Sequence, residues 1–179
     1  IYSDDWSYVV GRSLAGSFQW LNLTDRRPLL EVPLLILHGV FGFNLPVFYI
    51  FLWILHACNA TLVYTIANRC FTHQHSFSLV IALLSLVFPT NYTSMWLTMV
   101  HIYFAASLTL LYALFLLVFA REGHGKNLAL ASMCLLVSLG MYEAQVGLAC
   151  AWSLFLAVAY RRIGWRRQLG LVAPIFLAV

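Results

Sequence analysis

Two carboxylates in a row, Asp4-Asp5, followed by Trp6, stand ahead of a long stretch of mostly membrane-type sequence. Paired carboxylates are costly near lipid, so a pair placed there calls for a chemical explanation. A carboxylate held within hydrogen-bond reach can take a proton from a hydroxyl as that hydroxyl attacks. The second acid can orient the first, or hold a metal or a phosphate. The same pair can also be a solvated acidic loop, or the N-terminal cap of a helix starting near Ser7. Arg26-Arg27-Pro28 follows some twenty residues later. Guanidinium groups bind phosphate oxygens through paired donors, so these arginines could hold an anionic leaving group. Taken alone, they read first as interfacial lipid anchors. Glu143 lies between apolar runs with no adjacent base, which makes it a candidate by position. Four of the six acids, Asp4, Asp5, Asp25 and Glu31, fall at the start of the chain. Carboxylate chemistry is therefore concentrated there.

These groups need elements to hold them, and composition says what kind. Hydrophobic residues make up 63% and charged residues 9%, with mean hydropathy +0.87. A soluble domain is nearer half apolar and a quarter charged, so the expectation is an integral membrane protein. The net charge of +4 does not point to nucleic acid. Arg161, Arg162, Arg166 and Arg167 share one short loop between apolar runs, which reads as a topology determinant. The four cysteines have no metal-type spacing and read as small packing thiols. No phosphate-cradling Gly loop, nucleophile elbow, zinc pattern or redox Cys pair is present.

The apolar runs predict an all-α, multi-pass transmembrane bundle in a single domain over 1–179. Residues 1–45 form an outer loop with juxtamembrane helices, including an amphipathic helix over Ser7 to Trp20. Residues 46–179 give about five spans and a truncated last one. Leu29 to Phe43 is short, carries Glu31, Pro33 and His38, and reads as an interfacial helix. Pro46 to Ala67, Phe77 to Phe88 and Ile102 to Ala120 read as spans. Leu128 to Tyr160 reads as a helical hairpin bent near Gly140 to Glu143. Loops are expected at 68–76, 121–127 and 161–168. The chain starts without Met and ends inside an apolar run, Leu169 to Val179, so it reads as a fragment.

Charge orients this map. The three loops hold seven of the ten basic residues, and the turns near Asn91 and Glu143 hold none. That is the positive-inside pattern, and it works only if Leu29 to Phe43 does not cross. Asp4 is thereby placed outside. Leu128 to Tyr142 has 15 residues, roughly 22 Å of helix against a hydrocarbon core of about 30 Å. Phe77 to Pro89 is similar. Short helices ending below the outer surface would leave a recess, lined by Glu143 and by His101 near the end of another span. Trp96 reads as an interfacial anchor. Trp53, His56 and Asn59-Ala60 share one helix face and read as packing glue.

The order of these pieces resembles the glycosyltransferase C superfamily, multi-pass enzymes that use polyprenyl-phosphate sugars. The closest likeness is to bacterial membrane glycosyltransferases and tetratricopeptide-bearing protein O-mannosyltransferases. The resemblance rests on Asp4-Asp5, then Arg27-Pro28-Leu29, then the turn Gly42-Phe43-Asn44-Leu45-Pro46. Leu55-His56, Asn59-Ala60, Phe88-Pro89 and Trp96 follow in order. It covers residues 1 to about 100, and the rest by topology. Two departures stand out. Thr90, Asn91 and Tyr92 occupy a turn where relatives often carry an acid. Tyr142-Glu143 stands where relatives often have Lys-Glu.

The resemblance implies an inverting transfer of a sugar from a polyprenyl-phosphate donor to a hydroxyl on a glycan, lipid or protein. It implies Asp4 as base, with Asp5 orienting it or holding a divalent cation, Mg or Mn. Arg26 or Arg27 would stabilise the departing polyprenyl phosphate, with the lipid tail in the groove left by the short helices. It also implies a bacterial inner membrane with the active face periplasmic or extracellular. The fragment alone is expected to be inactive. The alternative is a non-catalytic transporter or flippase-like protein, which should show internal repeats and polar residues near mid-membrane.

Overall fold

The computed structural model describes residues 27–42, 44–71, 74–87, 100–161 and 164–178. Asp4, Asp5, Arg26, Trp96, the Phe88-Pro89 turn and the helix expected over Ser7 to Trp20 lie outside the described residues. Among the described residues there are seven helices and no strand. They are α1 (Val32–Phe41), α2 (Leu45–Cys70), α3 (His75–Val87), α4 (Val100–Glu122), α5 (Gly125–Met141), α6 (Gln145–Ala159) and α7 (Trp165–Ala178).

Local sequence explains the boundaries. α1 has Pro33 in its first turn, where a missing N–H costs nothing, and it stops at Gly42 with φ 59°. Asn44 caps α2, its side chain accepting from the Val47 N–H at 3.4 Å, and Pro46 again sits in the first turn. Gly123, at φ 77°, ends α4 and donates its N–H to the Phe119 carbonyl at 2.8 Å.

Two expected loops are shorter than the sequence suggested. α4 runs on through Arg121 and Glu122, and α5 starts at Gly125, so the connection is Gly123-His124. α7 begins at Trp165, which puts Arg166 and Arg167 on a helix. Arg, Glu, Lys and Gln are good helix formers, so charge marks a membrane-edge segment without ending its helix.

α4 is the hub. It packs on α2, α5 and α6 and also touches α1 and α7. Tyr112, Leu116, Leu117, Ala120, Ala131, Leu135, Ala149 and Leu156 join α4, α5 and α6 in one core. Leu34 and Leu37 of α1 join Phe48, Leu52, Val100 and Tyr103 in another. Small residues let the helix backbones approach. Buried hydroxyls then bridge them: Thr109 and Ser138 bond each other at 2.8 Å, and Ser138 also donates to the Ala105 carbonyl at 2.8 Å.

α3 is built inside out. It buries Ser78 and Ala82 and turns Phe77, Leu79, Val80, Leu83, Leu84 and Val87 outward. α2 buries His56 and Asn59 beside Phe48, Leu52, Ile66 and Ala67, and exposes Ile50, Trp53 and Ile54. α2 and α4 are each long and apolar enough to cross a membrane. α1, α3, α5 and α6 are apolar but shorter.

Two contacts set the level of the helices. His56 Nε2 lies 3.0 Å from the Leu86 carbonyl, which puts the last described turn of α3 beside the middle of α2. Asn59 Nδ2 donates to the Tyr103 carbonyl at 3.3 Å, which puts the first described turn of α4 at the same level. α1 packs along the first turns of α2.

Candidate functional site

The chain enters the described region as a strap, residues 27–31, laid across the turn between α5 and α6. The Leu29 N–H donates to the Gly140 carbonyl at 2.9 Å. A Cβ on residue 140 would stand 2.9 Å from Leu29 Cδ1, so glycine there lets the strap sit this close. Inside the strap, Leu30 N bonds Arg27 O at 3.1 Å and Val32 N bonds Leu29 O at 3.2 Å. The backbone of Arg27 is thus fixed relative to the turn before its side chain is considered.

That side chain meets Glu143. Arg27 Nε donates to Oε2 at 2.6 Å and Nη2 to Oε1 at 2.7 Å. This is a fork-to-fork pair, the geometry in which guanidinium and carboxylate match best. The same guanidinium lies 4.9 Å from the centre of the Tyr142 ring. Tyr142 in turn meets His101 edge-on, with ring centres 6.2 Å apart. Arg27, Tyr142, Glu143 and His101 therefore form one cluster where strap, hairpin turn and the start of α4 converge. The side chains of Arg27 and Glu143 are 34% and 53% exposed, so water and solutes reach the pair. His101 is buried and forms the floor under Tyr142.

Of the residues singled out in the sequence, Arg27, Glu143 and His101 are brought together. Asp4, Asp5 and Arg26 lie outside the described residues. Tyr142, named in the sequence only as a departure from the resembling family, is a component of the cluster that was not nominated for it. Its signal was its place directly before the lone acid Glu143. The pairing itself spans 116 positions and no local spacing announces it.

Comparison of the chain with protein-family models, curated proteins and solved structures gives no match. The chemistry of this cluster must be argued from its own geometry. As an anion site, Arg27 has the right donor pattern, but its charge is already balanced by Glu143. An incoming phosphate would replace one bidentate anion by another. As a metal site the described residues do not fit. No three His, Cys, Asp or Glu side chains among them could hold an ion, and both Glu143 oxygens face Arg27.

His56 and Asn59 do what the packing explanation expected. Asn59 accepts from Ser107 at 2.6 Å and donates to the Tyr103 carbonyl. His56 bonds the Leu86 carbonyl and stands edge-on to Tyr103. Trp53 is exposed and touches only the edge of His56 within this stripe.

Proposed function

We propose that this chain is a multi-pass membrane glycosyltransferase acting on a polyprenyl-phosphate-linked sugar. The membrane part draws support from α3, the inside-out helix. A helix that buries Ser78 and Ala82 and exposes Leu83, Leu84 and Val87 is stable against hydrocarbon and wasteful against water. The two ends of the bundle also differ in charge as a membrane requires. Arg69, Arg121, Lys126, Arg161, Arg166 and Arg167 lie at one end, and the Arg27–Glu143 cluster lies at the other.

The observation that carries the transferase part is the seating of Arg27. Arg27, which follows the Asp4-Asp5 stretch in sequence, is anchored in an exposed cluster at the end of the bundle opposite the basic residues. In the proposed reaction Asp4 removes the proton from the acceptor hydroxyl, which attacks the anomeric carbon with inversion. The polyprenyl phosphate leaves as an anion, and Arg27 exchanges Glu143 for its oxygens. Glu143 thus keeps the guanidinium oriented until the phosphate arrives. Asp5 orients Asp4.

The test is Asp4→Asn in the full-length protein. Asn keeps the size and the hydrogen bonds and cannot take the proton. General-base catalysis contributes about 10²–10⁴-fold, so transfer to acceptor should fall at least about a hundredfold with donor binding retained. Transfer within a few-fold of wild type would remove Asp4 as the base.

One observation favours the alternative of a transporter-like protein. A cavity of about 180 Å³ among His56, Asn59, Ser85 and Tyr103 places polar groups beside mid-helix backbone. Purified protein that moves lipid-linked sugar across vesicles without consuming it would select that alternative.

A further inference from the structure

We infer that an apolar cavity between α2, α3, α4 and α6, reaching the arginine end of the bundle at Cys70 and Phe71, binds one acyl chain of an anionic phospholipid whose phosphate sits on Arg69 and Arg121. The inference rests on the membrane reading and is independent of glycosyl transfer.

The cavity measures about 300 Å³, within the range of ligand sites. Ile66, Ile81, Leu110, Leu148, Trp152 and Phe155 supply most of its wall. Its polar groups are already committed. The Trp152 indole N–H donates to the Ala113 carbonyl at 3.0 Å. The Thr109 hydroxyl is shared between the Ala105 carbonyl, at 3.0 Å, and Ser138. A sugar or phosphate inside would lose its water and find no partner, which is costly. Hydrocarbon loses nothing there.

What identifies the hydrocarbon as part of an anionic lipid is the neighbouring charge. The cavity is walled at one end by Cys70 and Phe71, the last residues of α2 and its cap. Arg69 immediately precedes them and is exposed. Arg121 reaches across to the Arg69 carbonyl and also donates to the Tyr160 hydroxyl at 2.9 Å. Both acceptors are neutral, so Arg121 is positioned without being neutralised. Glu122 is the one carboxylate of the described residues at this end, against six Lys and Arg. A tail-sized apolar slot next to one positioned cation, Arg121, and one exposed cation, Arg69, matches a single amphiphile, and basic pockets between helices on the cytoplasmic side hold anionic headgroups in this way.

The test is native mass spectrometry of the full-length protein, reconstituted in equimolar phosphatidylcholine and phosphatidylglycerol and then transferred to detergent. Wild type should retain one phosphatidylglycerol in preference to phosphatidylcholine. Arg69→Gln and Arg121→Gln should each reduce that preference about fivefold, the effect of one surface cation on an anionic headgroup. Leu148→Trp should lower retention of both lipids. Leu148 is exposed, so this change plugs the open side without disturbing the core. Retained lipid that mirrors the bulk mixture and ignores Leu148→Trp overturns the site, as does wild type retaining no lipid. Failure of the membrane reading itself would be seen separately, as protein released from membranes by alkaline carbonate.

Discussion

The two ends of the bundle treat their arginines in opposite ways. At the strap end, Arg27 meets both oxygens of a carboxylate, and the pair carries no net charge. At the other end, Arg121 is held by a phenol and a backbone carbonyl and remains a cation. Arginine density alone therefore does not say where anions bind. An arginine facing a carboxylate is a clasp that opens by exchange. An arginine facing neutral oxygens is a standing attraction for anions. On the two proposals above, the strap end takes a ligand that comes and goes, and the arginine end one that stays.

The contrast breaks most completely if both ends face the same compartment. In a background without native cysteines, Ala144→Cys should react with an impermeant maleimide from outside. His124→Cys should react only after permeabilisation. The effect is all or none, and outside labelling at both positions would end the comparison.

A smaller effect is expected from the seat of the strap. Gly140→Val puts methyl groups where Leu29 lies, and overpacking of this kind costs about 1–3 kcal/mol. Thermal unfolding in detergent should shift accordingly, and Leu29→Ala in the same protein should restore part of the loss. Unchanged stability of Gly140→Val would mean that the strap does not rest on the turn.

The smallest effect concerns the clasp itself. A double-mutant cycle of Arg27→Ala and Glu143→Ala should give a coupling of about 0.2–1 kcal/mol, as for exposed ion pairs. A much larger coupling would mark a desolvated pair, unable to exchange Glu143 for a phosphate under ordinary conditions.

Much of the helical order was legible in the sequence, because long apolar runs bounded by charge, Gly or Pro leave little choice. Leu29 to Phe43 was read as a short helix, and α1 occupies Val32–Phe41. The hairpin bend near Gly140 to Glu143 falls where α5 gives way to α6. Helix ends were legible less well. Arg121-Glu122 and Arg166-Arg167 looked like loop and are helical, since charge reports proximity to water and not backbone conformation. The site was half legible. Arg27, Glu143 and His101 could each be nominated by type and position. That Arg27 and Glu143 face one recess was also legible, from the charge map. That they pair directly was not, because the contact follows from how Leu29 seats on Gly140, and a glycine's missing side chain leaves no trace of its neighbour.

One contact also ties two distant positions together. His56 Nε2 lies 3.0 Å from the Leu86 carbonyl. A carbonyl accepts and cannot donate, so His56 must carry its proton on Nε2 to serve that oxygen. Residue 56 therefore works as a latch, holding the last described turn of α3 against the middle of α2. A greasier side chain there, which any hydropathy scale would score as an improvement, gives up the latch.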